Sequence, residues 1–565
     1  MRCRAGAVSP IRGILEENHS VSLAGRIGSR IRERPWLYGG IVFWGLLLAF
    51  CGDWFPWMRG YQEWGPGPEW RWRYEAGKNP VAGAILLALA LGAGWGGLRL
   101  ARRPMRRGGK ILSAFALIAL LLVFHAMATW TRTPRVGFLW AQRTCVEWLN
   151  SFFEASLVPA TLGECWRDFD RLMNPERFPR VVTHPPGFVT YYAALRRAVE
   201  WSGMAERMNM DFWRKRLSPL EAAGRLSDTA LAAMVLSTAL QPVWAALALF
   251  PLLDLLRRHY SWSVALRVGL FYTLIPAVVL FVPSPDQLFL PLAITAVWGF
   301  ALGCGARIGP KAAHERGGDA RGDDSGGGTA NASPPLSASA AASPPREAAG
   351  GASAWRRKWP LLLAGFAIGV HSLMGYHFTV ILAILALWRA LLAWRDHAFG
   401  YRIGRAAGRM AGDLALVLLP VLAVWALLQI LFDYSYITHW IDGVGRHRGG
   451  ITRYRSYWMW LGWNVWDLVF FLGLPCAAAV WAGLCGRGGW RSPFFWSVAA
   501  VLIAVNLSGT VRGETARILL FMYPLFALLL APYLAGEETG SSRTKRLLLA
   551  QAAQLTCMAI YLNLF

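Results

Sequence analysis

Apolar positions along this chain run in long unbroken blocks separated by short polar joints, with neither the alternation of a half-buried strand nor the stripe of a soluble amphipathic helix. A hydrocarbon core about 30 Å thick takes about 20 apolar residues of helix, and lipid offers no partner to an open backbone group. The blocks have that length. The pattern therefore predicts an all-α fold, a polytopic transmembrane helical bundle of about 11–13 spans, with interfacial helices in its longer loops. The candidate spans are residues 36–52, 81–100, 111–129, 228–256, 263–282, 288–305, 359–373, 375–394, 412–431, 465–485, 494–511, 516–535 and 546–563. Residues 188–202 interrupt the sequence of spans with Arg196, Arg197 and Glu200, and read as a helix lying along the interface.

Of 565 residues, 55% are hydrophobic and 16% charged, and the net charge is +25. In a soluble chain that excess would point to nucleic acid. Here the basic residues gather between apolar blocks, so topology explains them and no nucleic-acid partner is implied. Arg26, Arg30, Arg32 and Arg34, then Arg102, Arg103, Arg106, Arg107 and Lys110, then Arg257 and Arg258, then Arg402, Arg405 and Arg409, then Arg543, Lys545 and Arg546 all fall on one side of the proposed bundle. That side is expected to be the cytoplasm of an inner or plasma membrane. Thirty Trp residues, many at block ends, suit an aromatic belt.

Residues 1–35 read as a basic cytoplasmic tail, since no small-residue cleavage site follows them. Residues 306–358, rich in Gly, Ala, Ser and Pro, read as a disordered cytoplasmic linker between an N-terminal half (36–305) and a C-terminal half (359–565). Most of the eight Cys lie in or beside apolar blocks as packing residues; Cys145 and Cys165, in one outer loop, are open to either a disulfide or two free thiols.

The long loops 53–80, 130–227 and 432–464 all map to the outer side, where function is sought. The second carries Glu164, Asp168 and Asp170, and then Arg180, Val181, Val182, Thr183, His184, Pro185, Pro186 and Gly187. Two prolines fix an extended backbone after His184 and hold its imidazole at the mouth of the next helix. The alternative is a rigid loop with a merely solvated His. Asp286, in the hairpin Pro283-Ser284-Pro285-Asp286-Gln287, is an acid at the edge of the hydrocarbon; it is there to be paired or used, or to cap the next helix. The loop 432–464 breaks the positive-inside pattern with Arg446, Arg448, Arg453 and Arg455, and Tyr457 follows. Guanidinium forks match phosphate oxygens, and anionic headgroups are the alternative partner. In Val511-Arg512-Gly513-Glu514-Thr515-Ala516-Arg517 an acid sits between two arginines at membrane depth, which calls for a buried ion network. Agreement of these four sets on one face is the signal, because scattered charges would divide between the two sides.

On Thr183-His184-Pro185-Pro186-Gly187 ahead of an interfacial helix, Asp286 in a later hairpin and the order of elements, residues 111–535 resemble the GT-C superfamily of polytopic glycosyltransferases, among them the aminoarabinose and protein-mannosyl transferases. The resemblance implies a polyprenyl-phosphate sugar donor, a lipid, glycan or protein acceptor, and an active site at the outer face among the membrane lipids. It also implies a catalytic acid soon after the first span, but Thr131-Arg132-Thr133-Pro134-Arg135 follows the span 111–129. Glu164, Asp168 and Asp170 are then the candidate bases, or Asp53 if the first span is the true equivalent. Arg453, Arg455, Tyr457, Arg512 and Arg517 are the expected phosphate partners, His184 and Asp286 are expected to shape the donor site, and Pro185, Pro186 and Glu514 to support it. The cofactor is left open, with a divalent cation as one way to stabilise the leaving phosphate. The rival readings are a lipid-linked oligosaccharide ligase or flippase, which needs no acid beside a Pro-Pro loop, and a secondary transporter, which calls for half-repeats and midplane polar residues not evident here.

Overall fold

The computed structural model describes residues 35–59, 72–75, 77, 79–145, 147–178, 180–220, 224–308, 351–398, 403–450, 452–486, 489–539 and 541–563. Residues 1–55 and 56–565 form two compact units. In the first, the apolar helix Pro35–Cys51 is described; nearly all of the expected basic tail lies outside the described residues.

Among its described residues the second unit is predominantly helical. Its main helices are α1 (Pro80–Leu100), α2 (Arg107–Trp130), α3 (Val136–Cys145), α4 (Gly187–Ser202), α5 (Asp228–Leu247), α6 (Phe289–Cys304), α7 (Gly351–Ser372), α8 (Phe378–Ala398), α9 (Ile403–Phe432), α10 (Tyr436–Gly450), α11 (Tyr457–Leu472), α12 (Leu474–Gly486), α13 (Pro493–Ser508), α14 (Tyr523–Gly536) and α15 (Ser542–Tyr561). Among the described residues the strand pairing is a two-residue antiparallel ladder, Arg73 with Asn563 and Tyr74 with Leu562. The chain is a multi-pass membrane protein. Among the described residues six helices are long and apolar enough to cross a membrane, or seven if the bent pair α11–α12 is one span, and shorter apolar helices accompany them.

The thirteen apolar blocks thus exceed the long helices, and the reason is breakage. The block 465–485 bends by 99° between α11 and α12, at Gly473, whose φ of 93° suits glycine. A Cβ there would lie 2.3 Å from the amide of Gln551. In lipid the backbone groups freed by a break need internal partners. Gln551 Nε2 donates to the Leu472 carbonyl at 3.1 Å and the Leu274 carbonyl at 3.0 Å, and Gln554 accepts from Leu474 N at 2.8 Å. Those two glutamines make α15 more polar than an ordinary span. The block 263–282 likewise divides into Trp262–Tyr272 and Pro276–Leu280.

Close helix contacts rest on glycine, as packing without a hydrophobic drive between helices requires. A Cβ on Gly299 of α6 would meet the Pro360 carbonyl at 2.5 Å, and one on Gly365 of α7 the Val417 carbonyl at 2.1 Å. Helix α9 buries Ala406, Asp413, Val417, Val421 and Leu428 along a single stripe, flanked by half-buried positions such as Pro420 and Trp425, and leaves most of its remaining surface exposed.

Helix α7 begins at Gly351, so residues 351–358 are helical where the sequence suggested linker; 309–350 lie outside the described residues. The expected loop 432–464 contains α10 and the first turns of α11. Helix α4 is the amphipathic element foreseen at 188–202, burying Phe188, Val189, Tyr192 and Val199 and exposing Arg197, Glu200 and Trp201. Residues 56–565 form one compact unit.

Candidate functional site

Four separate segments meet at the N-terminal end of α6. The first is the hairpin before it. Ser284 is extended, its Oγ accepts from Asp286 N at 3.3 Å and donates to Asp286 Oδ2 at 2.9 Å, so the carboxylate is oriented by its own turn. The second is the prolyl loop. Residues Val181–Thr183 make one tight turn, and His184 leaves it extended, as a residue before proline does. His184 Nδ1 lies 2.9 Å from the Arg180 carbonyl, which can only accept, so the proton sits on Nδ1 and Nε2 is the acceptor. Gly187 closes the loop: its N–H donates to the Leu373 carbonyl at 2.7 Å, and a Cβ there would lie 2.1 Å from the same oxygen.

The third segment runs from Asn506 to Arg517. Gly513 (φ 87°) and Glu514 (φ 47°) both adopt left-handed backbone, which reverses the chain and turns Glu514 back over the following turn. Arg517 pairs directly with Glu514, and its Nη1 lies 3.6 Å from Asp286 Oδ2; Arg180 Nη1 lies 3.8 Å from Glu514 Oε2. The side chains of Arg517, Glu514 and Asp286 are 12%, 13% and 15% exposed, so two carboxylates and two guanidiniums share a largely water-poor site. Burial lowers the Arg517 pKa, but Glu514 and Asp286 outweigh it and the net direction is up. Arg180, facing the Arg517 charge and then burial, moves down. His184 falls to about 3, chiefly through burial, against the Arg180 carbonyl bond and with the charges of Arg180 and Arg517.

The fourth segment is α10 and the turn after it. Arg455 donates to the Arg512 carbonyl, and Arg512 Nη1 donates to the carbonyls of Thr452 at 2.8 Å and Arg455 at 2.5 Å. The Arg512 guanidinium stands 5.4 Å over the Tyr457 ring, whose hydroxyl donates to the Leu507 carbonyl at 2.6 Å. These contacts staple residues 452–457 to 507–512. Arg453 is exposed. His447 joins them through Thr510 at 3.2 Å, its pKa lowered by burial and by Arg455 against the Thr510 carbonyl bond.

No protein-family model, no curated protein and no solved structure matches this chain. The site therefore speaks through its geometry alone.

That geometry brings together Asp286, Glu514, Arg517 and His184, with Arg180 added and the Arg455–Arg512–Tyr457 staple alongside. Glu164, Asp168 and Asp170 do not join it. Glu164 is half-buried at the surface and turned onto Ala160 N and the Thr161 hydroxyl, which lower its pKa. Asp170 is exposed, its Oδ1 3.4 Å from His439 Nε2. Asp168 lies half-buried between the short helices Glu164–Arg167 and Phe169–Leu172. Pro185 and Pro186 are buried. Cys165 is a buried free thiol. In the 53–75 segment Glu63, Glu69, Trp70 and Arg71 lie outside the described residues, while Trp72 is buried and donates to Asp467 at 2.8 Å.

Two histidines escaped sequence reasoning. Phe188, Phe289 and Phe521 each stand about one turn after His184, Asp286 and Arg517, and make a floor under the cluster. The rings of His371 and His377 complete it, 4.5 and 4.2 Å from Phe289 and 5.5 and 4.9 Å from Phe521. Neither ring nitrogen of His371 has a hydrogen-bond partner among the described residues. The signal was available: imidazole inside an apolar block is costly. Among the described residues no group of three or more His, Cys, Asp or Glu is disposed to hold a metal ion.

Beside the cluster, a cavity of about 420 Å³ runs between α11, α12, α13 and α14. Its walls include Leu468, Val480, Leu502 and Phe526, and Asn464, Asn506 and Thr515 edge it. Asn464 Nδ2 donates to the Val511 carbonyl at 2.7 Å and to Asn506 Oδ1 at 2.9 Å, joining that polar edge to the Arg512 segment.

Proposed function

We propose that this protein is a membrane glycosyltransferase that moves a sugar from a polyprenyl-phosphate donor to an acceptor hydroxyl at the outer face of the membrane. The observation that carries this reading is the convergence of Asp286, Glu514, Arg180, Arg517 and His184 from three distant segments at one helix end. A site that must stabilise charge appearing on a departing phosphate needs guanidinium donors held in place beforehand, in surroundings poor in water. It also needs a base for the acceptor. Asp286 Oδ2 is engaged by Ser284 and Arg517, which leaves Oδ1 as the atom for that task.

In the proposed step the acceptor O–H bond breaks and its proton passes to Asp286, while the acceptor oxygen bonds to the anomeric carbon. The bond from that carbon to the phosphate oxygen breaks, and the lipid phosphate leaves with the electron pair, held by Arg517 and Arg180. His184 Nε2 orients a donor hydroxyl by accepting from it. The apolar cavity along α13 suits the hydrocarbon chain of such a donor, with its polar edge toward the phosphate partners.

Membranes carrying the protein, incubated with radiolabelled polyprenyl-phosphate sugars, are expected to transfer label to an endogenous lipid, glycan or protein. Asp286→Asn and His184→Ala should each reduce transfer while the protein still inserts. Full transfer by both variants would refute the site; no transfer from any such donor by the parent protein would refute the activity.

A further inference from the structure

At the far end of α6 from the cluster, where Cys304 meets Asp413, an open groove of about 490 Å³ runs along α9. Lys358 of α7 and Arg409 of α9 stand at its head, and Gly412, Ala415, Leu416 and Leu419 line the rest. A volume of that size falls in the range of about 300–1,000 Å³ usual for small-molecule sites. From Arg409 to Leu419 the helix climbs roughly 15 Å, which is the hydrocarbon depth of one leaflet. Ala415 and Leu419 are exposed, so the groove opens away from the bundle. A Cβ on Gly412 would meet nothing within 4 Å.

The head of the groove carries an excess of positive charge. Asp413 is 6% exposed and accepts from Arg389 Nε at 2.8 Å and from Lys358 Nζ at 2.5 Å. Two cations thus share one carboxylate. Arg389 is 7% exposed and lies beneath, whereas Lys358 is 43% exposed, so the surplus charge is presented on the groove side. An ammonium has three donors, and Asp413 engages one of them. Arg405, one turn before Arg409, is also exposed. Trp359, exposed beside Lys358, suits the interface between headgroups and hydrocarbon. Basic groups therefore sit at headgroup depth, with an apolar channel directly below them.

We propose that this groove binds an anionic phospholipid of the surrounding membrane, with the phosphate at Lys358 and Arg409 and one acyl chain along Ala415, Leu416 and Leu419. The charge order decides the occupant. A phosphate supplies the oxygens that an ammonium and a guanidinium take, and its chain supplies the apolar surface that the channel lacks. A second copy of this chain in the same orientation would instead set Arg405 and Arg409 toward their equivalents, and the one acid in α9, Asp413, is buried and already shared. The site stands whether or not the cluster at the other end of α6 transfers sugars.

The test is thermal unfolding of the purified full chain in phosphatidylcholine nanodiscs with and without phosphatidylglycerol. Phosphatidylglycerol raises the parent midpoint. Lys358→Gln and Gly412→Leu each lose most of that rise, the first by removing the surplus charge and the second by filling the channel. Arg103→Gln, which removes an exposed charge elsewhere, keeps it. In phosphatidylcholine alone Gly412→Leu is at least as stable as the parent, because its side chain enters open space and leucine favours helix. Should Lys358→Gln fail to fold, Gly412→Leu decides the matter. An equal rise in the parent and both groove variants would overturn the proposal, as would no rise in the parent. A rise of the same size with sodium phosphate over sodium chloride at equal ionic strength, lost in Lys358→Gln, would move the site to soluble phosphate and overturn the lipid. A parent dimer in detergent that Gly412→Leu converts to monomer, with its lipid response intact, would give the groove to a second copy. None of these readings depends on sugar transfer.

Discussion

Replacing Gly187 by alanine asks whether the prolyl loop holds His184 by backbone contact. The added Cβ would stand 2.1 Å from the Leu373 carbonyl oxygen and 2.5 Å from its carbon, where ordinary contact begins at 3.4 Å. Both atoms are backbone, so no side chain can swing away. The two segments have to part by more than an ångström. Separation on that scale gives up the 2.7 Å hydrogen bond from Gly187 N, a loss of about 1 kcal/mol, and adds overpacking strain of about 1–3 kcal/mol. Together these amount to roughly 2–4 kcal/mol of stability. Positional error of about 1 Å at a reacting group costs on the order of 100-fold in rate, so transfer should fall by at least tenfold even in protein that remains folded. The control is Gly462→Ala on α11, where a Cβ meets nothing within 4 Å and helix propensity alone predicts a gain of up to about 1 kcal/mol. Unfolding in detergent and label transfer, measured on both variants, give the answer. If Gly187→Ala matched Gly462→Ala in both, the loop would not be positioned as argued.

Two further outcomes follow from charges elsewhere. His184 has a folded-state pKa near 3, below its ordinary 6.5, so the unfolded chain takes the proton first as pH falls. Its contribution to stability is complete above about 6.5 and is lost from there down toward 3, with a slope of at most about 1.4 kcal/mol per pH unit; acid-unfolding curves should flatten in His184→Phe, and an unchanged slope would contradict this. At the far end of α6, Asp413 pairs with buried Arg389 at 2.8 Å and with Lys358 at 2.5 Å. Asp413→Asn strands Arg389 and should cost about 3 kcal/mol or more, read as a lower unfolding midpoint with label transfer retained in folded protein; a midpoint equal to the parent's would show the pair to be dispensable.

The helical membrane fold was legible because burial in lipid demands long apolar blocks, and nothing in the chain disguises them. Breaks within the blocks were harder to read. Gly473 looks like any glycine in a span until Gln551 and Gln554, some eighty residues later, are seen to supply the partners that its bend requires. The cluster was half legible. Asp286, Glu514, Arg517 and His184 were conspicuous because charge or imidazole at membrane depth needs a reason. Which carboxylate would face them was not legible, since Glu164 and Asp170 are directed by short local turns toward Thr161 and His439. Arg143 and Arg180 were passed over for the opposite reason: an arginine in a loop is ordinary until the fold encloses it.

The hairpin before α6 is gripped at two points, by Arg143 on the Val282 carbonyl and by Arg517 on the Asp286 carboxylate. A segment of five residues clamped at both ends behaves as a short strut, with little slack to absorb displacement. Rearrangement of the guanidinium at one end should register as altered geometry at the other, so that a substitution behind the hairpin and reactivity in front of it become two readings of a single mechanical element.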